Sequence, residues 1–189
     1  MASPLTHAVV GATIAASHGL SPRTIPPWWL AMFCAIAPDV DAIGYWLGVP
    51  YESFWGHRGF THSIAFALMI SWVCARWSST TMSRFLLWSA YFTAALSHGL
   101  LDAFTDGGLG VAFFSPVDPG RYLWPVRPIH VSSMSLRDLL GSHGLDVLVN
   151  EMRWVWLPCG VTLTILWWWN RRPRSIQRDD RSGDFGGKQ

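Results

Sequence analysis

An imidazole and a carboxylate lie four residues apart in a long apolar stretch of the chain. The stretch runs from residue 84 to residue 102 and holds no charged residue between Arg84 and Asp102. A spacing of four places His98 and Asp102 on one face of a helix, one turn apart. Imidazole nitrogens and carboxylate oxygens are typical zinc ligands. The pair therefore predicts half of a metal site.

Other histidines and aspartates also lie beside apolar segments. With the first pair they give seven predicted metal ligands: His7, Asp39, Asp41, His57, His62, His98 and Asp102. Asp39 and Asp41 point to different faces of a regular helix, so both can serve one centre only if the backbone departs from helix there. We expect His18, His130 and His143 to lie away from the centre.

The loop from residue 57 to residue 63 is expected to run into a helix, with Thr61 as its N-cap. A histidine at a helix N-terminus is held neutral by the helix dipole. Neutral imidazole is the form that binds a metal, so this placement favours His57 and His62 as ligands.

The composition is that of a membrane protein. Of 189 residues, 50% are hydrophobic and 14% are charged, and 13 are tryptophan, whereas about a quarter of a soluble domain is charged. The net charge of +2 and the lack of a basic, aromatic-rich stripe argue against a nucleic-acid partner. Cys34, Cys74 and Cys159 lie singly in apolar segments and are expected to be small buried side chains.

Five apolar segments predict an all-α fold, a polytopic helical bundle of about five helices. They cover residues 5–20, 28–47, 61–77, 85–104 and 154–169. About 20 residues are needed to cross the hydrocarbon of a bilayer, so the second and fourth segments are the clearest predicted spans. We expect one membrane-embedded domain over residues 1–170, and a disordered, polar, cytoplasmic tail over residues 171–189.

Arginines predict the orientation of this bundle. Those beside short connections are Arg23, Arg76, Arg84, Arg171, Arg172 and Arg174. The positive-inside rule places them in the cytoplasm. Five spans then put the amino terminus outside and the carboxyl terminus inside. All seven predicted ligands consequently fall at the outer ends of the helices, on one side of a multi-pass inner-membrane protein.

Several short motifs, in this order, resemble a known family. They are LTH at 5–7, APDVD at 37–41, HRGFTHS at 57–63 and SHGLLD at 97–102. Together they resemble the YdjM-like family, described as LexA-regulated, inner-membrane, metal-dependent hydrolases. The pattern is more remotely similar to zinc-dependent phospholipase C and single-strand nuclease enzymes, which build a multinuclear zinc centre in a helical fold. The resemblance implies cleavage of a phosphoester.

The ligand set predicts how such a site would work. Three protein ligands leave one position of a zinc ion for water, whose pKa falls towards about 7. One or two ions are expected, zinc or alternatively manganese, with Asp39 or Asp41 as a bridge. Arg58 and Arg121 are expected to bind phosphate, either of a substrate or of a lipid headgroup without catalysis. Glu151 is expected to act as a general base or to support the metal ligands.

The sequence thus predicts a membrane-bound, metal-dependent hydrolase that cleaves a phosphoester of a membrane lipid. One alternative is a metal-binding or transport protein without catalysis. Transport would need polar residues through both leaflets, and the inner halves of the segments are almost wholly apolar. The other alternative is a structural membrane factor in which a metal ties helices together.

Overall fold

Helices form in each of the five apolar segments. The structure, a computed structural model, describes residues 1–20, 25–78, 80–132 and 141–171. Its α-helices are α1 (Pro4–Ser17), α2 (Ile25–Ile36), α3 (Ala42–Trp46), α4 (Ile64–Trp77), α5 (Arg84–Ala103), α6 (Ser142–Glu151) and α7 (Leu157–Arg171). A π-helix, Met152–Trp156, joins α6 to α7. Extended pairing in these residues is limited to the isolated bridges Thr105↔Ile129 and Val111↔Tyr122, so the predicted all-α class is confirmed.

Serine caps begin two of the helices. The Ser3 hydroxyl accepts a hydrogen bond from the backbone N–H of Thr6 at the start of α1. The Ser63 hydroxyl accepts one from the N–H of Phe66 at the start of α4. Such caps satisfy backbone donors that have no partner within the helix. Ser63, and not the predicted Thr61, is therefore the N-cap of α4.

The second apolar segment is not one continuous helix. It ends as α2 at Ile36, passes through a 3₁₀ helix, Ala37–Asp41, and resumes as α3. Pro38 explains the break, because proline lacks a backbone donor and its ring clashes with the carbonyl four residues earlier. The backbone thus departs from α-helix at Asp39 and Asp41, as a shared site would require.

Small residues bring α1, α2, α4 and α5 close together. Their shared core contains mostly alanine and cysteine: Ala15, Ala31, Cys34, Ala35, Ala67, Cys74, Ala75, Ala90, Ala94 and Ala95, with Leu20, Leu87 and Tyr91. At the crossing of α1 and α2, a Cβ added to Gly11 would lie 2.8 Å from the Cβ of Ala35. The spacing of these helices therefore depends on residues with little or no side chain.

The predicted membrane spans find no support in the helix lengths. Among the residues that the structure describes, no helix is both long and apolar enough to cross a bilayer. With 12 residues, α2 measures about 18 Å against about 30 Å of hydrocarbon. The longer α5 carries Arg84, His98 and Asp102. The predicted tail lies outside the described residues from position 172 onward, as do Arg23, Arg172 and Arg174.

Candidate metal centre

One end of the helical bundle collects the predicted ligands. His7 lies in the first turns of α1, Asp39 in the 3₁₀ turn after α2, and His57 in the loop before α4. His62 lies in a second 3₁₀ turn, Phe60–His62, and the last turns of α5 present His98 and Asp102. These histidines and Asp102 are buried. Helices that are separate in sequence thus converge at one centre.

Six of the seven predicted ligands form three overlapping groups. The groups are His7, Asp39 and His98; Asp39, His57 and His62; and His62, His98 and Asp102. Within each group, one ligand atom per residue lies within 4.8 Å of the others. Asp39, His62 and His98 each belong to two groups. Sharing of this kind suits two neighbouring metal ions.

The distances between ligand atoms fit a tetrahedral ion. His62 Nε2 lies 3.0 Å from His98 Nε2 and 3.5 Å from Asp102 Oδ2. His98 Nε2 lies 3.3 Å from Asp39 Oδ1. Zinc bonds of about 2.0–2.1 Å in tetrahedral geometry separate ligand atoms by about 3.3 Å. Two further pairs are wider, His62 Nε2 to Asp39 Oδ1 at 3.9 Å and His98 Nε2 to Asp102 Oδ2 at 4.0 Å, so these ligands would draw together around an ion.

Hydrogen bonds at Nδ1 set the orientation of three imidazoles. His98 Nδ1–H donates to the carbonyl of Ala35 at 2.7 Å, and His57 Nδ1–H donates to Asp41 at 2.7 Å. His62 Nδ1 lies 3.1 Å from Asp41 Oδ2. These contacts direct the Nε2 atoms of His57, His62 and His98 towards the centre, where His62 Nε2 and His98 Nε2 lie 3.0 Å apart. Although burial lowers the pKa of His62, Asp102 and Asp41 raise it to about 9, so a metal ion would have to displace a proton from this imidazole.

Buried polar atoms without a hydrogen-bond partner gather at this centre. Among the described residues, they are both ring nitrogens of His7, both carboxylate oxygens of Asp39, and Nε2 of His57. A buried polar group left unsatisfied costs about 1–3 kcal/mol, and more when charged. A divalent cation would satisfy lone pairs on all three residues, so the donor set fits a metal ion.

Protonation favours metal binding at two of the histidines. Burial lowers the pKa of His7 to about 4, and the neighbouring His98 acts in the same direction. Burial also lowers the pKa of His57, against the hydrogen bond to Asp41 that raises it. Both imidazoles are therefore neutral near pH 7, which is the form that coordinates a metal.

Asp41 lies behind the ligands and belongs to none of the three groups. Its oxygens accept hydrogen bonds from His57 Nδ1, the backbone N–H of Arg58, and Thr61 Oγ1 at 2.6 Å. Burial would raise the pKa of this carboxyl, but the hydrogen bonds from His57 and His62 hold it below the usual range. Asp41 was predicted as a metal ligand and bridge, but both of its oxygens already accept hydrogen bonds within the protein. The geometry instead suits an anion that orients two ligand histidines.

The expected role of Arg58 in binding phosphate is not compatible with its position. Arg58 is fully buried and has a φ of 60°. Its Nε donates to Asp102 at 3.1 Å, Nη1 to the carbonyl of Gly107 at 2.8 Å, and Nη2 to Thr105 at 2.7 Å. Every guanidinium nitrogen is committed within the protein, so Arg58 compensates the charge of Asp102 and cannot reach a substrate.

A known protein family matches most of this chain. Residues 1–173 match the family model described as YdjM inner membrane protein. The chain belongs to the YdjM family. It is 36% identical over 178 residues to inner membrane protein YbcI of Escherichia coli (strain K12), covering 91% of this chain and 100% of that protein. No solved structure matches. The predicted family is confirmed, and both descriptions support the expected association with the inner membrane.

In this YdjM family member, Arg121 and Glu151 support the centre from outside. Arg121 donates from Nη1 to the carbonyl of His57 at 3.0 Å and from Nη2 to that of Tyr51 at 2.9 Å. It therefore holds the loop that carries His57, and its expected phosphate contact would have to compete with these bonds.

Glu151 is buried and accepts hydrogen bonds from Ser3 and from Thr6 Oγ1. Its carboxylate fixes the start of α1, and of the two roles expected for it the supporting one fits this position.

The remaining histidines lie away from the centre, as expected. His18 Nδ1 donates to the carbonyl of Ile14, while His130 and His143 are exposed. The sequence analysis gave no role to the Ala35 carbonyl, which orients His98, because a backbone oxygen is present at every residue. It also gave none to Thr105, whose hydroxyl accepts a hydrogen bond from Arg58. Thr105 follows Asp102 by one turn, and that spacing could have suggested it.

Proposed function

We propose that this protein is a metal-dependent hydrolase of the inner membrane that cleaves a phosphoester. The prospective metal ligands are His7, Asp39, His57, His62, His98 and Asp102. The observation that carries the proposal is the set of unpartnered buried atoms on His7, Asp39 and His57. Mixed imidazole and carboxylate ligands favour zinc, with manganese as the alternative.

The chain supplies a preformed electrostatic setting for this chemistry. When bound, the metal would lower the pKa of a coordinated water and polarise a phosphoester oxygen. Asp41 holds His57 and His62 with Nε2 towards the centre. Arg58 offsets one of the two ligand carboxylates, Asp102. The Asp39 side chain retains 8% exposure, against 0% for His62 and His98, so we expect substrate to approach past Asp39.

The test is turnover by protein of known metal content. We expect zinc-loaded wild type to cleave at least one member of a panel of phospholipids and isoprenoid phosphates. Asp39→Asn should abolish turnover, because the ligand loses its negative charge. His143→Ala is the matched control, since this exposed histidine lies away from the centre. Fully zinc-loaded protein that cleaves no member of the panel would contradict the proposal.

A structural metal tie is the second candidate function. It is favoured by the burial of the ligands and by their origin in separate elements, namely α1, α5, two 3₁₀ turns and a loop, since structural zinc sites are closed. Under this alternative, His62→Ala would lower the melting temperature, and wild type would cleave nothing. Under the hydrolase proposal, His62→Ala removes turnover that wild type possesses.

We also propose that the ligand end of the bundle faces the outer side of the inner membrane. This orientation rests on the arginines that precede and follow the apolar segments, among them Arg76 at the end of α4 and Arg84 at the start of α5. With this orientation, lipids of the outer leaflet are the expected substrates. The carboxyl terminus is expected in the cytoplasm.

A further inference from the structure

Large apolar side chains form an exposed stripe along α2, the 3₁₀ turn and α3. Its members are Trp29, Phe33, Ile36, Val40, Ile43 and Leu47. Apart from the half-buried Ile36, each is between 52% and 79% exposed. The spacing places Trp29, Phe33 and Ile36 on one face of α2, and Val40, Ile43 and Leu47 repeat the same spacing from the 3₁₀ helix to the end of α3. We call this surface the α2–α3 stripe.

The surroundings of the α2–α3 stripe carry almost no charge. From residue 25 to residue 51 the charged residues are Asp39 and Asp41, and Asp41 is buried. Helix pairs with a similar apolar repeat usually choose their partner through flanking charges, which are lacking here. Trp29 lies at one end of the stripe and Trp46 near the other, both exposed, and tryptophan is enriched at membrane–water interfaces.

The least buried of the prospective ligands, Asp39, lies beside this stripe. Asp39 lies in the 3₁₀ helix, directly before Val40 of the stripe and three residues after Ile36. Both of its oxygens lack a hydrogen-bond partner. A substrate that approached Asp39 from this side would pass the exposed apolar side chains of Val40 and Ile43.

We propose that the α2–α3 stripe contacts the acyl chains of the bilayer, and that a lipid phosphoester reaches the centre sideways from the bilayer, past Asp39. Membership of an inner-membrane family supports lipid as the occupant. Exposed apolar side chains that lie side by side mark contacts with a partner or a membrane more often than isolated ones do. The substrate part of the inference rests on the hydrolase proposal, whereas the lipid contact does not.

Lipid contact is tested by fluorescence quenching. A bimane label is attached to Phe33→Cys, Ile43→Cys or Asp146→Cys in a Cys159→Ala background, where Cys34 and Cys74 are buried. The protein is reconstituted into vesicles of phosphatidylethanolamine and phosphatidylglycerol with brominated acyl chains. We expect strong quenching at Phe33 and Ile43 and little at Asp146, which is exposed on α6. Equal quenching at all three would overturn the proposal, as would disulfide-linked dimers of Ile43→Cys without quenching, which would assign the stripe to a second copy.

Sideways entry is tested by comparing two forms of substrate. The double variant Val40→Asn, Ile43→Asn makes the stripe polar beside Asp39, and elemental analysis checks that its metal is retained. We expect the ratio of its rate on vesicle-embedded lipid to its rate on a soluble short-chain phosphoester to fall at least about tenfold. An unchanged ratio would overturn sideways entry and leave the hydrolase proposal standing. Wild type without activity on either substrate would end the hydrolase proposal, while the quenching result would still decide the lipid contact.

Discussion

Two aspartates only two residues apart have different environments in the centre. Asp39 has two buried oxygens without hydrogen-bond partners, while Asp41 accepts bonds from His57, Arg58 and Thr61. Both residues lie in the 3₁₀ helix after α2, where side chains two residues apart differ by about 120° around the axis and therefore leave in different directions. A metal ion would therefore bind Asp39 directly and depend on Asp41 through the histidines that it orients.

The two asparagine variants should separate these roles. Asp41→Asn keeps the shape of the side chain but weakens its hold on His57 and His62, so zinc affinity should fall by about 10–100-fold. Asp39→Asn removes a ligand charge that two groups share, so at least one equivalent of zinc should be lost. Competition titration with a chelator measures both effects. Complete metal loss from Asp41→Asn, with normal zinc binding by Asp39→Asn, would reverse the assignment.

Arg58 should matter for folding before it matters for substrate. Arg58→Ala leaves the buried carboxylate of Asp102 without its cation, and breaking a buried pair in this way costs about 3–5 kcal/mol. We expect a lower melting temperature and reduced zinc content. Arg127→Ala is the control, because this exposed arginine should change the free energy of unfolding by less than about 0.5 kcal/mol. Thermal unfolding of Arg58→Ala at the wild-type temperature would contradict the assignment.

At the scale of the elements, features that depend on local sequence patterns could be predicted, whereas features that depend on long-range contacts could not. The five apolar segments and the polar ligands beside them were readable, because helical periodicity and residue chemistry are local. The burial of Arg58 was not, since it depends on the loop after α5, where Gly108 has a φ of 88° and a Cβ would lie 2.6 Å from Arg58 Nη1. The contact of Glu151 with α1 joins residues almost 150 positions apart, and no local pattern records it.

The crossing of α1 and α2 should tolerate no added side chain. Gly11→Ala would place a Cβ 2.8 Å from that of Ala35 and 3.0 Å from the carbonyl of Ala31. Separating these helices also moves the Ala35 carbonyl that orients His98. We expect a loss of about 1–3 kcal/mol in the free energy of unfolding and weaker zinc binding, measured by denaturant titration and chelator competition.

Gly160→Ala in α7 is the matched control for this substitution, because nothing lies within 4 Å of the added Cβ. The greater helix propensity of alanine should leave that variant as stable as wild type, or more stable by up to about 1 kcal/mol. Equal stability of the Gly11 and Gly160 variants would show that the crossing can relax.

At the scale of the whole molecule, the candidate metal centre lies at one end of the bundle and adjoins the helical core, since the core residue Ala35 bonds His98. The ligands lie where α1 and α4 begin and α2 and α5 end, whereas the loop between α4 and α5 lies at the far end. A metal ion bound there would therefore be coupled to the packing of four helices and should contribute to folding free energy. The same polarity makes the orientation in the membrane measurable with two labels.

Orientation should follow from the reactivity of one cysteine at each end of α4. Glu52 and Thr81 are exposed in the loops before and after this helix, and Arg76 and Arg84 flank the second loop. In a cysteine-free background, Glu52→Cys should react with an impermeant thiol reagent in intact cells, and Thr81→Cys should react only after the membrane is opened, because basic loops remain cytoplasmic. Labelling of both variants in opened membranes serves as the control for accessibility. The opposite pattern in intact cells would place the metal centre on the cytoplasmic side and make inner-leaflet lipids or cytosolic phosphoesters the substrates to test.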